Sequence, residues 1–171
     1  MKQLIIVGTA REGSKTGLVA DAVREEFSEG NDVKVFDLKD REVPSMERML
    51  QHDENPPEDV KEFAELVNWC EMLTLISPEY NHSYPGVLKN CLDYLYSEYG
   101  GKAFSYVTVS GGGFGGVRSQ SHLHDLTLAL GGRPGPSLHV SRVGDHFSEE
   151  KVSEEYIDRI KTFRDNCREF L

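Results

Sequence analysis

The residues best equipped for chemistry gather in three short segments of the 171-residue chain. The first, GTAREGSKTG at 8–17, offers hydroxyls at Thr9, Ser14 and Thr16 and a charged fork at Arg11. Its glycines, Gly8, Gly13 and Gly17, let backbone N–H groups close around an anion. A helix starting at about Thr16 would turn its positive end into this loop, which is what a terminal phosphate requires. The same residues also read as an ordinary strand-to-helix turn in which Ser14 or Thr16 caps the helix, and taken alone the loop supports both. Two nucleotide motifs are close but incomplete. A dinucleotide fingerprint needs GxGxxG, and Ala10 stands at its second glycine, with Asp37 after the second strand as the single acid that could hold a ribose. A P-loop needs GxxxxGK, and Ser14 stands where the lysine belongs. Lys15 comes one position late, which on a helix turns it aside by about 100°.

The second segment, SPEYNHSYPGVLKN at 77–90, is stiffened by Pro78 and Pro85, and Pro85 with Gly86 suits the first turn of a helix beginning near Ser83. Between the prolines, Glu79, Tyr80 and Asn81 are poor core material. They offer backbone groups and a flat aromatic surface to a planar heteroaromatic ring. The third, SGGGFGGVRSQ at 110–120, runs Ser110, Gly111, Gly112, Gly113, Phe114, Gly115, Gly116. So many glycines cost backbone entropy, and the usual compensation is a close approach of backbone to a ligand, here the polar edge of the ring. Phe114 either covers the ring or anchors the loop, and Arg118 either pairs on the surface or meets the phosphates of a nucleotide.

Hydrolytic and metal chemistry find little support. His122 and His124 are two apart on a helix and face different ways, whereas helical zinc pairs stand four apart, and no GxSxG elbow occurs. His82 reads as a solvated loop residue. Cys70, Cys91 and Cys167 are widely spaced and fall in apolar phase, as buried spectators rather than a disulfide framework.

These loops need a scaffold, and the periodicity supplies one. Apolar runs at 3–8, 32–38, 72–77, 103–110 and, more weakly, 136–141 read as strands. Amphipathic stretches follow each, through Leu18, Val23 and Phe27, then Val60, Phe63 and Val67, then Leu88, Leu92 and Leu95, then Leu123, Leu126 and Leu130, and finally from Val152 to Phe170. The first, third and fourth strands are continuously apolar, as when helices cover both faces of a parallel sheet. The expectation is one α/β domain over 1–171, three layers deep, with a five-stranded parallel sheet of order 2-1-3-4-5. Its ligand crevice lies between strands one and three, where the winding reverses. Residues 39–57 read as a polar surface excursion. Nineteen basic against twenty-nine acidic side chains leave a net charge of −10, which disfavours nucleic acid and anionic membrane as partners. No run approaches the roughly 20 apolar residues of a membrane helix, and the amino-terminal apolar run is too short for a signal peptide, so a cytoplasmic protein is expected.

Taken together, GTAREGS, SPEYNHSYPGVLKN and SGGGFGGVRSQ, in this order and spacing, resemble the loops of the NADPH-dependent FMN reductase family, from Met1 to about Val140. The resemblance implies a flavodoxin-like fold and non-covalent FMN. It also implies NAD(P)H as electron donor and a small acceptor such as free flavin, a quinone, an azo compound or a metal oxyanion. It puts the phosphate on Thr9, Arg11, Ser14, Thr16 and Gly17. The isoalloxazine would lie against Pro78, Glu79, Tyr80, Asn81, Ser110, Gly111, Gly112, Gly113, Phe114, Gly115 and Gly116. The family usually has serine where Thr9 stands and asparagine where Thr16 stands, and both changes keep a hydrogen-bonding side chain. Because the hydride passes directly to the flavin, no catalytic acid, base or metal is implied. A homodimer or homotetramer joined through the third and fourth helices is also implied, and Tyr84, Tyr94 and Tyr96 suit that interface. The alternative from another class is a flavodoxin-like FMN electron carrier reduced by a partner protein.

Overall fold

The computed structural model describes residues 1–171. Its five strands are β1 (Lys2–Val7), β2 (Asp32–Asp37), β3 (Met72–Pro78), β4 (Ala103–Val109) and β5 (Arg133–Val140). They form one sheet, parallel throughout, in the order β2-β1-β3-β4-β5. The six helices are α1 (Thr16–Ser28), α2 (Glu58–Trp69), α3 (Gly86–Asp93), α4 (Val117–Ala129), the single turn α5 (Val143–His146) and α6 (Glu154–Phe170). None is long and apolar enough to cross a membrane.

Continuous apolar sequence explains the centre of the sheet: every residue of β3 and β4 is buried, because helices lie on both sides. One face packs Val19, Val23 and Phe27 of α1 with Ile160 and Phe163 of α6, the Phe27 and Phe163 rings 5.6 Å apart. The other packs Phe63 and Val67 of α2, Leu88 and Leu92 of α3, and Leu123 of α4. Alternation returns at β2, which has a neighbour on one side only. A buried polar line, Gln3 to Thr74 to Ser105, crosses β1, β3 and β4, and a slip in register would break it.

β5 begins at Arg133, three residues ahead of the expected start at 136, and takes in Pro134 and Pro136. Proline has no N–H to give a ladder, so such a strand belongs at an edge, where β5 lies. Arg159 Nη2 donates to the His139 carbonyl at 2.8 Å and blunts that edge.

The expected polar excursion is tied down more firmly than its composition suggests. Asn90 accepts from Met46 N at 2.8 Å and donates to the Pro44 carbonyl at 2.7 Å. The Tyr94 hydroxyl donates to the same carbonyl at 3.0 Å, and Arg41 bonds both Asp59 and Glu62. Tyr94 is therefore 3 % exposed, which corrects its expected place on an intersubunit surface: its hydroxyl found a partner inside the chain. Tyr96, at 58 %, remains outside, and Tyr84 packs half-buried against the core. All three cysteines are buried and unbridged.

Candidate functional site

The three chemistry-bearing loops leave the carboxyl ends of β1, β3 and β4, each from a ladder-type bond. Gly8 N donates to Ile76 O at 2.8 Å, Glu79 N to Val109 O at 3.1 Å and Ser110 N to Val140 O at 2.9 Å. A Cβ at Gly8 would stand 2.7 Å from Leu88 Cδ2 and 3.2 Å from the Ile76 carbonyl, so a side chain there would push Leu88 aside where α3 runs close against the end of β1.

In the first loop, Ser14 N closes a turn onto the Arg11 carbonyl, with Gly13 at φ 67°. Ser14 Oγ accepts from Thr16 N at 3.3 Å and donates to Thr16 Oγ1 at 3.0 Å, so one N–H of the helix start is taken locally, while the cap residue Lys15 makes no side-chain bond. The anion cradle survives it. The N–H groups of Gly13, Lys15, Gly17 and Leu18 have no acceptor, and these residues line a cleft of about 520 Å³ whose walls carry Thr9, Arg11, Ser14 and Lys15 at the helix start and Asp21, Asp37 and Glu149 farther round. Arg11 bonds a tyrosine hydroxyl and no carboxylate, although the chain carries ten surplus negative charges. An exposed guanidinium left without a carboxylate beside free N–H groups at a helix start is a fit for a phosphate.

The second loop turns back on itself. Tyr80 and Ser83 exchange both backbone bonds, at 2.8 and 3.0 Å, around Asn81 at φ 50° and His82 at φ 65°, the signs of a type I′ turn. Helix α3 accordingly starts at Gly86, with Pro85 as its cap, and not near Ser83. The N–H groups of Glu79 and Tyr80 are consumed within the protein, which leaves that of Asn81 free. The Glu79 carboxylate points to the start of α4, accepting from Ser119 N at 3.5 Å and lying 3.9 Å from Arg118. The Tyr80 hydroxyl reaches the first loop, 3.0 Å from Thr9 Oγ1 and 3.1 Å from Arg11 Nε.

The glycine-rich loop divides in two. Gly111, Gly112 and Gly113 are exposed; positions 111 and 113 face open space, and a Cβ at 112 would meet only Ser110 Oγ, at 3.5 Å. Gly115 and Gly116 are buried at φ 61° and 77°, where a Cβ would lie 2.8 Å from His139 Cβ and from Thr108 Cβ. The first half can approach a ligand, and the second is the loop's foundation. Phe114 is 69 % exposed with the Arg118 guanidinium 5.1 Å from its ring centre, so it does not anchor the loop.

Sequence reasoning missed the residues that hold this loop. Thr108 Oγ1 bonds the Gly115 carbonyl at 2.6 Å and His139 Nδ1 at 2.8 Å, while the N–H groups of Arg142 and Val143 take the carbonyls of Gly112 and Ser110. Burial and nearby Arg159 push the His139 pKa down. Thr108 sits in a strand and His139 in an edge strand, and neither position carries a local signal. His122 meets Ser83 and His124 packs against Tyr106 with the rings tilted at 46°, so the two do face different ways.

With this geometry in hand, comparison with known proteins gives one direction. A family model described as NADPH-dependent FMN reductase matches residues 1–146. An NADPH azoreductase from Bacillus sp. (strain OY1-2) is 34% identical over 125 residues, spanning 72% of this chain and 67% of that one. A quinone reductase from Escherichia coli (strain K12) is 29% identical over 134 residues, 76% and 71% of the two chains. Among solved structures, the flavoenzyme NAD(P)H:(acceptor) oxidoreductase FerB from Paracoccus denitrificans superposes with a TM-score of 0.80 at 21% identity, over 98% of this chain and 97% of that one, a likeness of fold.

Proposed function

The chain belongs to the NADPH-dependent FMN reductase family, and from that premise we propose that it is an FMN-dependent NAD(P)H oxidoreductase that reduces a small acceptor of the quinone or azo class. FMN supplies the redox chemistry when bound, taking a hydride from NAD(P)H and passing the electrons on. The protein's part is to hold, orient and shield. Arg11, the Ser14 and Thr16 hydroxyls and the free N–H groups of Lys15 and Gly17 receive the phosphate. The segment from Pro78 to Asn81 and the exposed glycines, Gly111 to Gly113, flank the ring, with the N–H groups of Asn81, Gly111 and Gly113 available to its polar edge. No side chain in these segments is assigned a proton to move.

The observation that carries this reading is the set of unpaired donors around Arg11 at the start of α1, joined to the family of the sequence. The side carrying α3 and α4 exposes Tyr96, Val117 and Leu128, and these are proposed as the surface through which two copies meet.

Titration of purified protein with FMN and riboflavin, followed by quenching of flavin fluorescence, tests the site. FMN should bind much the tighter, and Arg11→Ala should cost FMN about 1.5–3 kcal/mol while leaving riboflavin unchanged. Equal affinity of the parent for both flavins would remove the phosphate site. Anaerobic mixing with NADPH or NADH should bleach the bound flavin without a partner protein; reduction by dithionite alone would make the protein a carrier.

A further inference from the structure

The Tyr80 side chain is positioned with more care than a ring contact needs. Its backbone is locked to Ser83 by two hydrogen bonds around a turn with two non-glycine residues at positive φ. Its hydroxyl crosses from the β3 loop to the β1 loop and meets both Thr9 and Arg11. Arg11 Nε can only donate, so the tyrosine oxygen accepts from it. The same oxygen lies 3.0 Å from Thr9 Oγ1, a pair in which either hydroxyl can donate, and Thr9 Oγ1 accepts from Arg11 N at 3.2 Å. Arg11 is thus held by its Nε alone, and its two terminal amino groups carry no bond to the protein. A guanidinium gripped at that one nitrogen presents the paired donors that match two oxygens of a phosphate.

We propose that Tyr80 is the positioning residue for Arg11: its hydroxyl fixes the guanidinium so that the fork is set for phosphate before the ligand arrives. The order it provides lowers the side-chain entropy lost on binding. This rests on the FMN reading above, and it assigns the tyrosine hydroxyl to the phosphate end of the ligand, not to the ring.

The test is a double-mutant cycle read by binding. FMN and riboflavin affinities are measured by fluorescence quenching for the parent, Tyr80→Phe, Arg11→Ala and the double variant, with a urea midpoint for each as a check of folding. Tyr80→Phe should weaken FMN about fivefold to tenfold and leave riboflavin within about twofold, and it should have no further effect once Arg11 is alanine. Equal weakening of both flavins would make Tyr80 a ring contact and overturn the proposal. An undiminished effect in the Arg11→Ala background would overturn it too, because the tyrosine would then act on its own. A parent without preference for FMN would sink the phosphate reading itself, whereas a preference kept in full by Tyr80→Phe would sink only this one.

Discussion

His82 stands at φ 65° in the second position of a two-residue turn, where glycine is the residue without strain. Asn81 before it tolerates the left-handed region better, because its short amide bonds locally. The strain is therefore concentrated at the histidine, and His82→Gly should raise the unfolding free energy by about 0.5–1 kcal/mol after allowance for the freer unfolded chain. Its imidazole is exposed, and the function proposed above asks no proton of it, so the same variant should accept electrons from NADPH within about tenfold of the parent rate. A destabilised variant would contradict the strain argument, and a hundredfold slower reduction at full flavin occupancy would give the histidine a chemical role.

At the scale of the element, the glycine loop shows one stretch serving two purposes. Gly115→Ala places a methyl 2.8 Å from His139 Cβ at a φ of 61°, so strain and overlap add. The expected loss is about 2 kcal/mol or more in urea unfolding. Gly113→Ala meets open space at an ordinary φ and should leave the urea midpoint unchanged while weakening FMN and riboflavin alike. If Gly115→Ala proves as stable as Gly113→Ala, the division of the loop is wrong. Five glycines in seven residues announced a close approach in the sequence, but two of the five approach the protein's own strands.

For the whole molecule, buried titratable groups set the pH range of stability. Burial pushes the Cys70 thiol up to about 11 and the Cys167 thiol to about 12, and raises Cys91, Tyr99 and Tyr106 as well. The unfolded chain releases those thiol protons near 9.0, so above that pH it binds fewer protons than the folded protein and stability falls as pH rises. On the acid side the sign reverses. Burial lowers His139 below 6.5, and the Glu42 N–H and Arg41 lower Asp59 below 3.8. Unfolding there takes up protons, and stability falls as pH drops below about 6.5. Urea unfolding at about pH 5, 7.5 and 10 should give the largest free energy at the middle value. A value at pH 10 equal to that at 7.5 would mean the thiols are not sealed.

The five parallel strands and their order were legible in the residue pattern, because continuous apolar runs alternating with amphipathic stretches admit few other arrangements. Periodicity is local, and a local signal is enough to say which face of an element is buried. It also marked the three loops, since glycine, proline and hydroxyl residues constrain the backbone at their own positions. Where side chains and N–H groups place their hydrogen bonds was settled by packing, beyond the reach of local pattern. Glu79 turned to the start of α4, Tyr94 to the Pro44 carbonyl and Tyr80 to Arg11, across sequence separations of 40, 50 and 69 residues. Thr108 and His139, 31 residues apart, became the base of the glycine loop. A donor takes whichever acceptor the packed chain brings within about 3 Å, and that neighbour is fixed by the whole fold, not by the residues beside it.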